Sequence, residues 1–415
     1  MKYKYMLLTL LMFLLSNCNK NINKLFVISK GINEELLNAA FEGKDSKVEK
    51  LLEDGANVNF QDINGETALI KASFNGHIDI VKLLLKSPEI NIEAKSCLGY
   101  TALLLAAEKG HTEIVKLLIE NSANINVQSN SGITALICVT LRNYKEIVSL
   151  LLNNNANVNI QDNNGDTALS KASHCGYIET VKILIEKGAS VNIQNNVGNT
   201  ELIKASSNGQ CDLVKLLLEA GADVNIQNNL GDTALIKASN GAQVEVVRLL
   251  LAHNAKVDIE NFKGATALFL SSWESVELLL EAGANVNIQD KNGETALIFA
   301  SRNCQPKVVS LLLEAGADSN IQNNNEETAL MLAAKYYQTE AVRFLLKAGA
   351  NVNTQNKNGE TALILAASTN CETEILKLLL EAGADSTIQN NKGDTALSIA
   401  KKAKVKKIIK LLSNK

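Results

Sequence analysis

Short apolar stretches with helical spacing recur along most of this chain, and polar turns separate them. The segment Asn225–Asn254 shows the pattern clearly: Thr233 precedes a stretch of small and apolar residues, and Asn240 and Gly241 interrupt it. A second stretch then places apolar side chains on one helical face, at Val244, Val247, Leu250 and Leu251. This spacing predicts two short helices in each segment, the first one capped by the threonine hydroxyl.

The tripeptide Thr-Ala-Leu marks a repeat of 33 or 34 residues, and we call its first residue the anchoring threonine. These threonines are Thr67, Thr101, Thr134, Thr167, Thr233, Thr266, Thr295, Thr328, Thr361 and Thr395, and Thr200-Glu201-Leu202 fills the one gap. The interval falls to 29 residues between Thr266 and Thr295, where we expect the turn between the helices to lack four residues. With a degenerate first copy, the chain contains about twelve units.

The second helix of each unit ends at a glycine or at a residue that can replace it. Glycine suits the left-handed conformation that closes many helices, and Asn254 and Ser122 occupy the same position in two other units. The glycines are Gly55, Gly188, Gly221, Gly283, Gly316, Gly349 and Gly383. Because one such helix pair cannot bury its apolar face alone, the units must stack on their neighbours.

The segment from Gly99 to Ile119, Gly-Tyr-Thr-Ala-Leu-Leu-Leu-Ala-Ala-Glu-Lys-Gly-His-Thr-Glu-Ile-Val-Lys-Leu-Leu-Ile, resembles the ankyrin repeat. The resemblance covers residues 33–415, with a degenerate first unit at 33–62 and a capping unit at 395–415. It implies an all-α repeat fold, an ankyrin solenoid of helix-turn-helix units joined by β-hairpin-like loops.

Several residues depart from the family pattern. Lysine occupies a position where the family prefers leucine, and we expect the stems to pack while the ammonium groups reach outward, at Lys71, Lys171, Lys204 and Lys237. Glu326 replaces a loop glycine, so we expect that loop to deviate. At the short unit, residues 266–283, we expect a kink, read either as a tolerated turn deletion or as a hinge.

The N-terminal residues differ from the repeats. Lys2 and Lys4 precede the apolar run Met6–Leu15, which is typical of a signal peptide and shorter than the roughly 20 residues of a membrane-spanning helix. Residues 1–18 end in Leu-Ser-Asn-Cys, which resembles the lipobox of bacterial lipoproteins, although the residue before Cys18 is usually Gly, Ala or Ser. Lipidation at Cys18, secretion without a lipid, and a cytoplasmic chain with an apolar start remain alternatives. Residues 19–32 form a short linker.

The remaining composition favours neither catalysis nor nucleic-acid binding. The formal net charge is -3, and the basic run at residues 401–407 is interpreted as the solvated face of the last unit rather than as a lipid or nucleic-acid contact. We find no nucleotide-binding, hydrolase or zinc motif, so we predict no enzyme activity, cofactor or metal site. The histidines fall singly in turns, where structural roles are expected: His77, His111, His174 and His253. We expect six unpaired thiols, Cys97, Cys138, Cys175, Cys211, Cys304 and Cys371.

Ankyrin-like proteins bind partners mainly through the loop tips and the exposed side of the first helix. By resemblance, these positions lie four, three and one residue before the anchoring threonine and seven or eight after it. Apolar residues occupy them in three consecutive units and in the short unit, at Ile63, Phe74, Leu98, Tyr100, Ile133, Leu141, Phe262 and Trp273. Exposed apolar residues in a contiguous stripe mark an interaction surface, although packing beneath neighbours would explain Leu141 and Trp273 as well.

These features favour a monomeric, non-catalytic scaffold for an unidentified protein partner, exported and tethered at a bacterial cell envelope. The alternatives are a structural spacer at the envelope and, if the N-terminal signal is not used, a cytoplasmic ankyrin adaptor. Contact with a membrane is expected only through the lipid anchor.

Overall fold

The computed structural model describes residues 31–368 and 373–413. The predicted signal segment 1–18, with Cys18, lies outside the described residues, as do residues 19–30 of the predicted linker and Cys371. Within the described residues the chain is helical and contains no strand, which confirms the all-α repeat. It divides into two compact units, one ending at Ser190 and the other spanning Val191–Lys415.

In the described part of the first unit, helices alternate between the first and second positions of each repeat. Residues 31–42 are helical and form α1. The helices that follow are α2 (Asp45–Glu53), α3 (Ala68–Asn75), α4 (Ile78–Leu85), α5 (Ala102–Lys109), α6 (Thr112–Glu120), α7 (Ala135–Leu141), α8 (Lys145–Asn153), α9 (Ala168–His174) and α10 (Ile178–Glu186).

The second unit continues the alternation with one short segment. Its elements are α11 (Glu201–Ser207), α12 (Cys211–Glu219), α13 (Ala234–Asn240), α14 (Val244–Ala252), a 3-10 helix (Ala267–Leu270), α15 (Trp273–Glu281), α16 (Ala296–Arg302), α17 (Pro306–Glu314), α18 (Ala329–Lys335), α19 (Thr339–Lys347), α20 (Ala362–Ala367), α21 (Thr373–Glu381), α22 (Ala396–Lys402) and α23 (Lys406–Ser413).

Within each unit, first helices pack on first helices and second helices on second helices. In the first unit α3 contacts α5 and α4 contacts α6, and in the second α16 contacts α18 and α17 contacts α19. The second helices supply large side chains to the core, such as Ile80 and Leu84, which are fully buried. Burial of each such side chain contributes about 1.5–3 kcal/mol, and this burial requires a neighbouring repeat.

The anchoring threonines cap the first helices as predicted. Thr233 Oγ1, for example, accepts a hydrogen bond of 3.2 Å from the N–H of Ile236. The helix-closing positions also adopt the predicted left-handed conformation, including Ser122 with φ 65° and Asn254 with φ 61°. Local sequence therefore determines where each helix begins and ends.

The loop at Glu326 does not deviate, contrary to the expectation from its missing glycine. Glu326 adopts a φ of 59°, and its N–H donates to Asn323 O at 2.8 Å, as Gly293 N–H does to Asp290 O in the preceding repeat. The stacked neighbours impose the loop geometry, and the residue takes a left-handed conformation that ordinarily costs about 1 kcal/mol.

The short repeat loses part of its first helix, whereas the sequence predicted a loss confined to the turn. Ala267–Leu270 forms a single 3-10 turn, and Ser271 and Ser272 are extended. The side chain of Thr266 makes no capping hydrogen bond here, because the N–H of Phe269 bonds to the backbone oxygen of Thr266 at 3.3 Å. The deletion thus converts an α-helix into one tighter turn.

Polar side chains link consecutive loops in a way that the sequence did not predict. Gln128 Nε2 donates to Gly132 O within its own loop at 2.9 Å and to Gln161 O of the next repeat at 3.0 Å. Asn126 Oδ1 accepts from the N–H of Asn157, also one repeat further on, at 2.8 Å. The same two bonds recur in the second unit, so the amide residues form ladders that tie each repeat to its neighbour.

Candidate partner-binding surface

The five residues that precede each anchoring threonine form a tight loop, which we call the tip loop. In the loop of residues 62–66, the N–H of Asp62 donates to Glu66 O at 3.1 Å and the N–H of Gly65 donates to Asp62 O at 2.9 Å. Asp62 Oδ1 accepts from two further backbone N–H groups of the loop. The polar groups of the loop are therefore satisfied internally, which leaves the side chains at its apex facing solvent.

Two predicted residues of the first unit, Ile63 and Leu98, lie at the apices of adjacent tip loops. Ile63 is 93% exposed and Leu98 is 67% exposed. The loops are joined through the backbone: Cys97 N–H donates to Asn64 O at 2.7 Å, and Leu98 O accepts from the N–H of Asn130 at 3.0 Å. Backbone stacking thus holds two large apolar side chains at the surface of neighbouring repeats.

Tyr100 and Ile133 are half-buried at the base of their loops. Burial and the nearby charge of Glu108 raise the pKa of the Tyr100 phenol, which keeps it neutral near pH 7. These two residues combine a packed side with an accessible one.

Phe74 and Leu141 lie at the ends of the first helices α3 and α7, each 37% exposed. The Phe74 ring has Lys109 Nζ of the next repeat 4.4 Å from its centroid, a cation–π contact. Leu141 is therefore not buried beneath its neighbours.

The two predicted residues of the second unit occupy different places. Phe262 lies at a tip-loop apex and is 61% exposed. Trp273 does not lie at the end of a first helix; it is the first residue of the second helix α15, because the four-residue deletion shifts the position seven after the threonine. Lys307 Nζ lies 2.7 Å from the centroid of its ring, so a neighbouring lysine already covers part of Trp273.

Sequence reasoning missed five other exposed apolar residues, Phe41, Val197, Leu230, Tyr336 and Tyr337. Val197 and Leu230 occupy the tip position three residues before the anchoring threonine, in units that were set aside as mostly polar. Phe41 lies 33 residues before Phe74, so the repeat period would have found it.

The lysines at the leucine position do not extend into solvent as expected. Lys71 Nζ lies 2.9 Å from Asp62 Oδ2 and 2.7 Å from Glu66 Oε2. Burial alone would lower the pKa of Lys71, but the two carboxylates outweigh it and raise that pKa. Related ion pairs recur at Lys171, Lys204 and Lys237, each beside a carboxylate of its own repeat. These lysines fasten the tip loop to the first helix.

Histidines and cysteines in the described residues have structural surroundings. His77 Nε2 lies 3.0 Å from Phe41 O and His111 Nε2 3.1 Å from Phe74 O, so each ring bridges to the preceding repeat. Five thiols are unpaired as predicted: Cys97, Cys138, Cys175, Cys211 and Cys304.

Across residues 31–368 and 373–413, no cluster of three or more His, Cys, Asp or Glu side chains is arranged to hold a metal ion. The helices of this same part of the chain are too short or too polar to cross a membrane.

Family models for ankyrin repeats match most of the chain. A model of three ankyrin repeats matches residues 36–129, 123–195, 202–290, 271–356 and 348–415. A second model, of many ankyrin repeats, matches residues 176–218. The matched ranges include every repeat described above.

Proposed function

Because the chain belongs to the ankyrin-repeat family, we propose that it is a non-catalytic, monomeric scaffold that binds a protein partner through its tip loops and first-helix ends. The observation that carries the proposal is the exposure of large apolar side chains on loops whose backbone is fully engaged in stacking. Ile63 and Leu98 contribute little to the folded core, since both side chains remain mostly in water.

The exposed residues favour binding over a purely structural spacer. A spacer requires only the buried faces and the amide ladders, and apolar side chains at loop apices would then serve no purpose. Within the first unit the apolar positions fall in three consecutive repeats, which matches the size of a contiguous docking surface for an extended segment or a folded partner.

A quantitative test compares partner capture by the full chain and by two single variants, Tyr100→Ala and Phe262→Ala. Truncation of an aromatic hot-spot residue costs about 2 kcal/mol, roughly thirtyfold in Kd. Tyr336→Ala is the matched control, because it removes an exposed aromatic ring from an inter-helix turn instead of a tip loop. Unchanged capture by both variants, with unchanged helical content, would disprove this surface.

We further propose export and anchoring by a lipid at Cys18, with the sequence of residues 1–18 as the support. Metabolic labelling with palmitate should mark the intact protein and should not mark Cys18→Ala. Label retained by the variant contradicts the anchor and leaves the scaffold proposal standing.

A further inference from the structure

The short repeat leaves a notch between two longer first helices in the second unit. The helices α13 and α16 each contain seven residues, and the 3-10 segment Ala267–Leu270 between them contains four. The missing turn opens a cavity of about 500 Å³, lined by residues of all three elements and of three successive tip loops.

One side of the notch is apolar. Leu230 and Phe262 stand at the rim, 65% and 61% exposed, and the N–H of Phe262 donates to Leu230 O at 3.0 Å, which holds the two loops together. Phe269 and Phe299 line the interior. Such a surface suits an aliphatic or aromatic side chain.

The other side carries more carboxylates than cations. Arg302 Nη1 lies 2.6 Å from Glu294 Oε1, so this pair is neutral overall. Asp232 and Asp290 remain, opposed at the lining by the exposed Lys263 alone. Burial raises the pKa of Glu294, and the charge of Asp290 raises it further despite the contact with Arg302, which is consistent with surplus negative charge.

We propose that this notch binds an extended segment of a partner protein in which a lysine or arginine lies directly beside an apolar residue. The apolar side chain packs on the phenylalanines, and the cation approaches Asp232 and Asp290. An acidic segment would bring like charges together at these two carboxylates, which is unfavourable in a partly desolvated site. This inference rests on the proposed scaffold function and specifies the chemistry of the partner.

A phage-displayed library of random linear peptides, selected on the full chain, tests the proposal. The selected peptides should share an apolar residue next to a lysine or arginine. Synthetic copies are then titrated against a variant whose notch is filled by inserting a copy of residues 240–243 between Ser272 and Trp273. We expect at least about tenfold weaker binding to the filled variant and unchanged binding to Tyr336→Ala.

A second variant isolates the charge. Asparagine occupies the position of Asp290 in other tip loops, where Asn228 Oδ1 accepts the same two backbone N–H groups. Asp290→Asn therefore keeps the loop while removing one carboxylate. We expect basic peptides to bind this variant several-fold more weakly and with less dependence on salt.

Selection of peptides without a basic residue, failure to select any, or equal binding to the filled variant overturns the notch inference. Circular dichroism of each variant verifies that the helices are retained. If capture of the natural partner still depends on Tyr100 while the notch results are negative, the scaffold proposal survives and only this inference fails.

Discussion

Replacement of Thr233 by valine should destabilise the second unit far more than the same replacement at Thr266. Both threonines are buried and both precede the sequence Ala-Leu, so the two substitutions remove the same atom from similar surroundings. They differ in one respect: Thr233 Oγ1 accepts the N–H of Ile236 at 3.2 Å, whereas the Thr266 side chain caps nothing.

The expected magnitude follows from that hydrogen bond. Valine preserves the shape of threonine, and Thr233→Val leaves the N–H of Ile236 without its acceptor in a residue that is 2% exposed. Loss of a threonine cap costs about 1–2 kcal/mol, and a buried donor without a partner falls in the same range. Thr266→Val should stay within about 0.5 kcal/mol of the original chain, since no capping bond is lost.

Urea unfolding followed by circular dichroism at 222 nm measures the two changes in stability. Hydrogen exchange of peptides spanning residues 233–240 and 266–272 localises them, because a repeat array can unfold in parts. Equal destabilisation by the two substitutions would refute the assignment of capping energy to the hydroxyl.

Three further predictions concern strain, charge and thiol reactivity. Glu326→Gly should raise the free energy of unfolding by about 0.5–1 kcal/mol by relieving the left-handed φ of 59°, whereas Glu326→Ala should leave it unchanged in urea melts. Lys71→Met should cost about 1 kcal/mol near pH 7. Since the pKa of Asp62 is lowered from 3.8 and that of Lys71 is raised from 10.5, this difference should be lost as pH falls through the folded pKa of Asp62 or rises through that of Lys71; a deficit that persists at pH 2 would contradict it. Burial raises the pKa of the Cys138 thiol to about 12, so iodoacetamide at pH 8 should alkylate Cys138 more than about tenfold more slowly than the exposed Cys97, as mass spectrometry of peptides would measure.

The helices and their ends could be predicted because each depends on residues close in sequence. A threonine caps a helix through an N–H three residues away, and a glycine or asparagine closes one through its own φ. Glu326 shows the limit of such local rules. Its conformation is imposed by the stacked loops on either side, where Asn324 N–H donates to Asn292 O and Lys357 N–H to Asn325 O.

The lysine ion pairs and the notch depend on distances between segments that sequence spacing does not give. Lys71 meets Asp62 because the tip loop folds back on α3, and a rule about snorkelling considers only the side chain itself. The position of Trp273 was wrong for a related reason. Counting from the threonine assumes a first helix of full length, and the deletion removes the turn on which the count depends.

Comparison of the repeats within this one chain separates residues needed for stacking from residues free to serve binding. The position six before the anchoring threonine is glutamine in most units, including Gln128 and Gln227, and there its side chain bridges two loops. The apex varies from isoleucine at residue 63 to leucine at residue 230, and its backbone oxygen stacks whichever side chain is present. Substitutions at the apex should therefore change partner affinity without lowering the free energy of unfolding, whereas Gln227→Ala should lower it. This separation allows twelve similar repeats to stack in the same way while their tips differ in chemistry.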